Sequence, residues 1–305
     1  MARSASDCRA GAAETRRRLA AFAVLAPACA VILLLVLWPA TYVTWLSFFE
    51  IRLVDIARGI QGPATWANYA SVLTDAVFHN TVFVTLFYVA ASTCIAFLVG
   101  LVAALALNGT FRGSKTLRTL VLSPWAVAPV IASLVWMFLL DRQFGLLNYL
   151  LIGAGLIEAP VGWLDTPLGA LTSIVLVSVW KSFPFFAIML LAGLQTVPPV
   201  LYEAARLDGA GPWARFRDVT WPGLKPTAAI TLLFSALTSF REVETILVLT
   251  KGGPARSTET LAVQAYVEAF HYYDVGESAA LGALGLVTVL VAVALLAHLA
   301  RRRIA

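Results

Sequence analysis

The sequence predicts an all-α, polytopic membrane protein with six transmembrane helices and both termini cytoplasmic. Three observations point there. Of the 305 residues, 60% are hydrophobic and 13% charged, whereas a soluble domain carries roughly 25% charged residues; so few charges cannot cover a water-facing surface of this size. Six stretches reach the length of about 20 mostly apolar residues that a bilayer crossing needs. Lysine and arginine gather on alternate connections, as the positive-inside bias requires.

The first span is Leu19–Trp38, running into Pro39. Its flank Arg16-Arg17-Arg18 resembles the start of a signal peptide, and Ala26-Pro27-Ala28-Cys29 a lipoprotein cleavage site. Ala30–Trp38 nevertheless stays apolar past that point, which favours an uncleaved anchor. The remaining spans are Thr81–Leu107, Leu117–Leu140, Leu168–Leu194, Pro226–Leu249 and Ala279–Ala300. In hydrocarbon each must satisfy its own backbone hydrogen bonds, so each is a helix. The organisation is a cytoplasmic tail over 1–18, one membrane domain over 19–300 and a second tail over 301–305. Trp38, Tyr42 and Trp45 fall near the outer end of the first span, where amphipathic rings favour the headgroup layer.

With the N-terminus inside, the inner segments hold fifteen basic residues: Arg3, Arg9, Arg16, Arg17, Arg18, Arg112, Lys115, Arg118, Arg206, Arg215, Arg217, Lys225, Arg301, Arg302 and Arg303. The outer segments hold five, Arg52, Arg58, Arg142, Lys251 and Arg256. The net charge of +5 therefore reflects helix orientation. No basic patch interleaved with aromatics suits nucleic acid. Cys29 and Cys94 lie inside apolar segments, which argues against a disulfide framework, and His79, His271 and His298 are too scattered for a metal site.

The connection between the fourth and fifth spans, about residues 199–222, is the longest on the inner side. Pro198-Pro199 stops the preceding helix, and Leu201–Leu207 can form a short one with Glu203 and Arg206 together on its polar side. Gly209 and Gly211 permit a sharp reversal with positive φ. Pro212 suits the first turn of a second helix, expected to end before Trp221-Pro222. The product is a helix–turn–helix knob. On pattern alone it is either a docking element or an interfacial helix lying on the headgroups.

The run Glu203-Ala204-Ala205, then Asp208-Gly209-Ala210, then Trp221-Pro222 and Lys225-Pro226 resembles the "EAA" coupling loop of permeases from binding-protein-dependent ABC importers. Similar to that family too are Phe78-His79-Asn80-Thr81, Pro124-Trp125-Ala126-Val127-Ala128-Pro129 and Trp180-Lys181-Ser182-Phe183-Pro184-Phe185. Leu249-Thr250-Lys251-Gly252-Gly253-Pro254, followed by Ser257-Thr258-Glu259-Thr260-Leu261, resembles the carbohydrate branch, of maltose and glycerol-3-phosphate type. The likeness covers nearly the whole chain after residue 19 and favours the first permease of the usual pair, without the extra N-terminal helices of the maltose version.

That resemblance implies the ABC importer permease fold in a bacterial-type cytoplasmic (inner) membrane. It implies half of a translocation path for a sugar or sugar-like solute, completed by a second homologous permease. An ATPase dimer would dock on Glu203, Ala204, Ala205, Asp208 and Gly209, and an extracytoplasmic solute-binding protein on Gly252, Gly253 and Pro254. Lys251 departs from the pattern there. The chain would be no enzyme and hold no cofactor, ATP and Mg²⁺ belonging to the ATPase. Gly109-Thr110-Phe111-Arg112-Gly113-Ser114-Lys115-Thr116 nearly spells a phosphate-binding loop, but Ser114 stands where glycine is required and no β-strand precedes it.

Charges at bilayer depth are costly unless paired or hydrated, so Lys181 in the fourth span and Arg241, Glu242 and Glu244 in the fifth are candidates to line a path. Equally, Lys181 can pair with Glu242 or Glu244 and brace the bundle. Phe234, Ser235, Ser239 and Phe240 add the rings and hydroxyls that suit a sugar. The alternative reading is a secondary, ion-gradient-driven transporter, which usually shows inverted repeats and broken helices; no such repeat is visible.

Overall fold

The computed structural model describes residues 25–56, 58, 62–109 and 112–302, with side chains as far as residue 291. The tail over 1–18, the start of the first span and the residues after 302 lie outside the described residues. Helices α1 (Leu25–Leu46), α3 (Ala76–Leu107) and α7 (Pro167–Gln195) are each long and apolar enough to cross a membrane. Helices α4 (Ser114–Ala126) and α5 (Pro129–Leu139) pass the same test as a pair, bent by 94°. A short helix α2 (Ala67–Thr74) precedes α3, and α6 (Leu146–Gly153) precedes α7. The knob supplies α8 (Pro199–Leu207) and α9 (Pro212–Arg215), and beyond it come α10 (Trp221–Phe240), α11 (Glu244–Leu249), α12 (Leu261–Phe270) and α13 (Val275–Arg302).

Several expected boundaries are corrected. Pro39 does not end the first span. A π turn at Leu33–Leu37, in which the Trp38 amide donates to the Leu33 carbonyl, widens the helix where the proline ring would strike the preceding turn, and the helix continues to Leu46. The second span begins at Ala76, because the Asp75 carboxylate accepts the Val77 amide at 2.9 Å and so caps an earlier turn. The third span is not one helix: Val127 and Ala128 are extended ahead of Pro129, as a residue before proline tends to be. The fifth breaks at Arg241–Val243, and the sixth opens at Val275 rather than Ala279. The two broken spans meet, α11 packing on α5.

The core is the pair α3 and α7. A Cβ on Gly100 would lie 2.4 Å from the Phe186 Cβ and 3.0 Å from the Ala187 nitrogen, so only glycine allows this approach. Tyr88, Phe97, Ile174, Phe186 and Leu190 are buried around it, joined by Leu224 of α10 and Ile246 of α11. Gly193 brings α10 close: a Cβ there would meet Leu224 and Thr227 side-chain atoms at 2.9 Å. At the end of the bundle opposite the knob, the Val275 amide donates to the Ile51 carbonyl at 3.0 Å, and Asn68 Nδ2 donates to the Ser47 and Phe49 carbonyls, each at 2.9 Å. These bonds tie the segment that follows α1 to the start of α13 and to α2. Leu33–Leu37 and Trp38 of α1 are exposed, a contiguous apolar surface that suits hydrocarbon rather than water.

Candidate functional site

The knob is built from main-chain geometry. Pro199 occupies the first turn of α8, where its missing N–H costs nothing. The helix closes with paired reverse bonds: the Gly209 amide donates to the Arg206 carbonyl at 3.1 Å and the Ala210 amide to the Ala205 carbonyl at 2.9 Å. This is a Schellman closure, and Gly209 at φ +74° supplies its left-handed residue. Gly211 takes no part in the reversal; it is extended, with φ −68° and ψ 172°. Nor does the second helix stop before Trp221-Pro222. A π turn at Phe216–Thr220, with the Trp221 amide donating to the Phe216 carbonyl, makes room for Pro222 and leads straight into α10. The same Trp-Pro device carries α1 past Pro39.

Glu203, Ala204, Asp208 and Gly209 are exposed and Ala205 is half-buried. Leu207 is 89% exposed and Trp213 72%, which makes the tip apolar as well as charged. Glu203 and Arg206 form no ion pair; both line a 1160 Å³ groove, shared with Tyr202, Trp213, Arg215 and Phe216, between the knob and the ends of α3 and α7. The Tyr202 and Thr220 hydroxyls bond at 3.1 Å, holding α8 against the π turn.

The candidate path residues fall in three places. Lys181, half-buried on α7, donates from Nζ to the Val127 carbonyl at 3.0 Å, at the break between α4 and α5, and forms no salt bridge with Glu242 or Glu244. Glu242 instead accepts the Thr245 amide at 3.0 Å, at the start of α11. Phe234 and Phe240 line a 500 Å³ cavity with Thr238, Arg241, Ala265 and Gly285, between α10, α12 and α13. Ser235 is buried and Ser239 half-buried. Phe185, absent from the candidates drawn from sequence, packs on Phe234 at 5.2 Å between ring centroids; its place one turn after Lys181 was the available signal.

The Gly252-Gly253-Pro254 turn is scaffold rather than surface at its centre. Gly252 is buried at φ +85°, and Gly253 and Pro254 are half-buried. The Thr250 and Thr258 hydroxyls bond at 2.7 Å, and Asn80 Nδ2 donates to the Arg256 carbonyl at 3.2 Å. Lys251, Ala255 and Arg256, all with positive φ, form the exposed tip. The departure at Lys251 therefore falls on the part of the turn that faces outward.

The family described as binding-protein-dependent transport system inner membrane component matches residues 96–305. The chain belongs to that family. It is a membrane-embedded transport permease rather than an enzyme, and the ion-gradient alternative finds no support. Across 268 residues, 88% of each chain, it is 34% identical to the trehalose/maltose transport system permease protein of Thermococcus litoralis. It is 33% identical over 267 residues to the sulfoquinovosyl glycerol transport system permease protein of Agrobacterium fabrum, covering 87% of this chain and 84% of that one. The trehalose transport system permease protein of Mycobacterium tuberculosis is 34% identical over 279 residues, 90% and 86% of the two chains. A solved bacterial ABC transporter that imports the acidic polysaccharide alginate shares the fold, with a TM-score of 0.79 at 23% identity over 95% of this chain and 97% of that one.

Proposed function

We propose that this permease forms half of the path by which an ATP-driven importer carries a sugar or sugar-like solute across a bacterial-type inner membrane. A second homologous permease supplies the other half, an extracytoplasmic binding protein delivers solute, and an ATPase dimer, holding ATP and Mg²⁺, docks on the 199–222 knob. The observation that carries the reading is the knob itself: an exposed, rigidly closed α8 tip packed against a π turn through which α9 runs on into α10, the helix that bears Phe234 and Ser235. Force applied at Glu203, Ala204 or Asp208 passes from α8 to the π turn, where the Tyr202 and Thr220 hydroxyls bond, and from there along α10. The sugar class is supported by the trehalose, maltose and sulfoquinovosyl glycerol named for the relatives. The bent third span and broken fifth span leave main-chain groups without a partner in their own helix, two of which Lys181 and Glu242 bond; such breaks at membrane depth persist only inside protein or beside a water-filled cavity.

The test is co-purification from native membranes with a tag on this chain, comparing it with Gly209→Val. A β-branched residue at φ +74° opens the Schellman closure without touching the spans. The native chain is expected to bring down a second permease and an ATPase; the variant is expected to keep the permease and lose the ATPase. A native chain that purifies with no ATPase sinks the importer reading. Uptake of labelled trehalose, maltose and sulfoquinovosyl glycerol by the reconstituted complex tests the solute class, and transport of none of them removes its support.

A further inference from the structure

Seven aromatic rings form an unbroken series from the knob to the candidate path. Trp213 stacks on Phe216 at 5.6 Å between centroids, and Phe216 meets Trp221 at 6.4 Å. Trp221 meets Phe97 at 6.5 Å, and Phe97 meets Phe186 at 5.7 Å. Phe186 adjoins Phe185 at 5.8 Å, and Phe185 packs on Phe234 at 5.2 Å. The two ends are open, Trp213 72% exposed and Phe234 52%, while Phe97 and Phe186 in the middle are buried.

We propose that Phe97 is a positioning residue, carrying displacement of the knob into the α7 ring pair that meets Phe234. The inference rests on the knob being the ATPase dock. Phe97 stands on α3 yet links α10 to α7, edge-on to Trp221 at 73° and to Phe186 at 86°. Helix α10 itself joins Trp221 to Phe234, so helix and rings close a circuit: α10 cannot turn about its axis without dragging Phe97 against Phe186. Gly100, one turn after Phe97, holds α3 against the α7 backbone, so that force is passed on rather than absorbed by helices sliding apart. A ring is a stiff plate with few rotamers in a close-packed core and transmits a lateral push. An unbranched or branched aliphatic chain yields by changing rotamer. At the far end the Phe185 and Phe234 rings, inclined at 36° and partly exposed, are free to slide.

The experiment uses the full complex with its ATPase in lipid vesicles. The native cysteines are replaced by serine, and Thr238→Cys on α10 serves as reporter. The rate of maleimide labelling is measured with and without Mg-ATP plus vanadate. With Phe97 present the nucleotide is expected to change the rate by roughly fivefold or more, the lower end of ordinary coupling between sites, and with Phe97→Leu by less than about twofold. Phe97→Tyr is expected to restore the response. Leu140→Ala, also buried but off the ring series and away from the reporter's cavity, is expected to leave it intact. A full response in Phe97→Leu overturns the proposal, and so does an equal loss in Phe97→Leu and Leu140→Ala, which would reduce Phe97 to general packing. No response even with Phe97 present overturns this proposal and the docking reading together, an outcome distinct from failure of Phe97→Leu alone.

Discussion

The ammonium of Lys181 donates to the Val127 carbonyl across 3.0 Å, so a charge on one helix closes the C-terminal end of another. The last carbonyls of α4 have no intrahelical partner, and a cation at that end is favoured by the helix dipole. Replacing Lys181 with methionine keeps most of the stem and removes the donor. Loss of a charged hydrogen bond of this kind is expected to cost about 1–3 kcal/mol, seen as a lower thermal midpoint in detergent. In the double variant Lys181→Met/Glu242→Gln the two effects should add to within about 0.5 kcal/mol. A larger coupling would mean that Glu242 is the true partner of Lys181.

The hydroxyl of Thr85 on α3 accepts the Leu261 amide at 2.8 Å, capping the first turn of α12 from a neighbouring helix. Thr85→Val preserves the shape and orphans a buried amide, which should destabilise by about 1–3 kcal/mol. Thr85→Ser, which keeps the acceptor, should recover most of that loss. Equal melting behaviour of the valine and serine variants would refute the capping role.

Two glycines on helices should respond oppositely to alanine. At Gly100 the added Cβ meets backbone atoms of α7 at 3.0 Å as well as the Phe186 Cβ, and overpacking of about 1–3 kcal/mol is expected. At Gly282 nothing lies within 4 Å, so the alanine should be neutral or stabilise by up to about 1 kcal/mol. Detergent melting curves for the two single variants decide the matter, and similar midpoints would contradict the close approach at Gly100.

Glu268 lies on α12, between the fifth and sixth expected spans. Burial is the main cause, with Glu277 and Asp274 next, that pushes its carboxyl up to about 7; Glu259 adds to this and Arg256 opposes it. Between the ordinary carboxyl range and about 7 the folded chain therefore keeps a proton that the unfolded chain has released. The stability this group contributes is present below that window and declines as pH rises through it. Glu268→Gln should flatten the fall in melting temperature between pH about 5 and about 8. An unchanged slope would show that another group carries it.

Hydropathy made the fourth span legible to within a residue at each end, since Pro167–Gln195 is a single unbroken helix, mostly apolar despite Lys181, and averaging finds its limits. It failed where direction changes without composition changing: Val127-Ala128 interrupts a helix whose flanks stay apolar, and a window average cannot register a 94° bend. At Arg241–Val243 the signal was present in the charges of Arg241, Glu242 and Glu244, which point to a path as readily as to a helix break. The knob was readable as far as Gly209, because a left-handed closure demands a particular residue. Its far side was not, because Trp221-Pro222 looks like a terminus unless the preceding turn is known to be wide. Candidate path residues scattered for a related reason. The group Lys181 meets is a main-chain carbonyl, which has no identity in a sequence, so only side-chain carboxylates had suggested themselves as partners.

The Gly100 contact also bears on how the chain is assembled during synthesis. Helices α3 and α7 touch along their backbones, yet α4, α5 and α6 emerge between them. The contact therefore cannot close until Phe186 and Ala187 have been made, and until then the notch at Gly100 faces something other than the helix it fits.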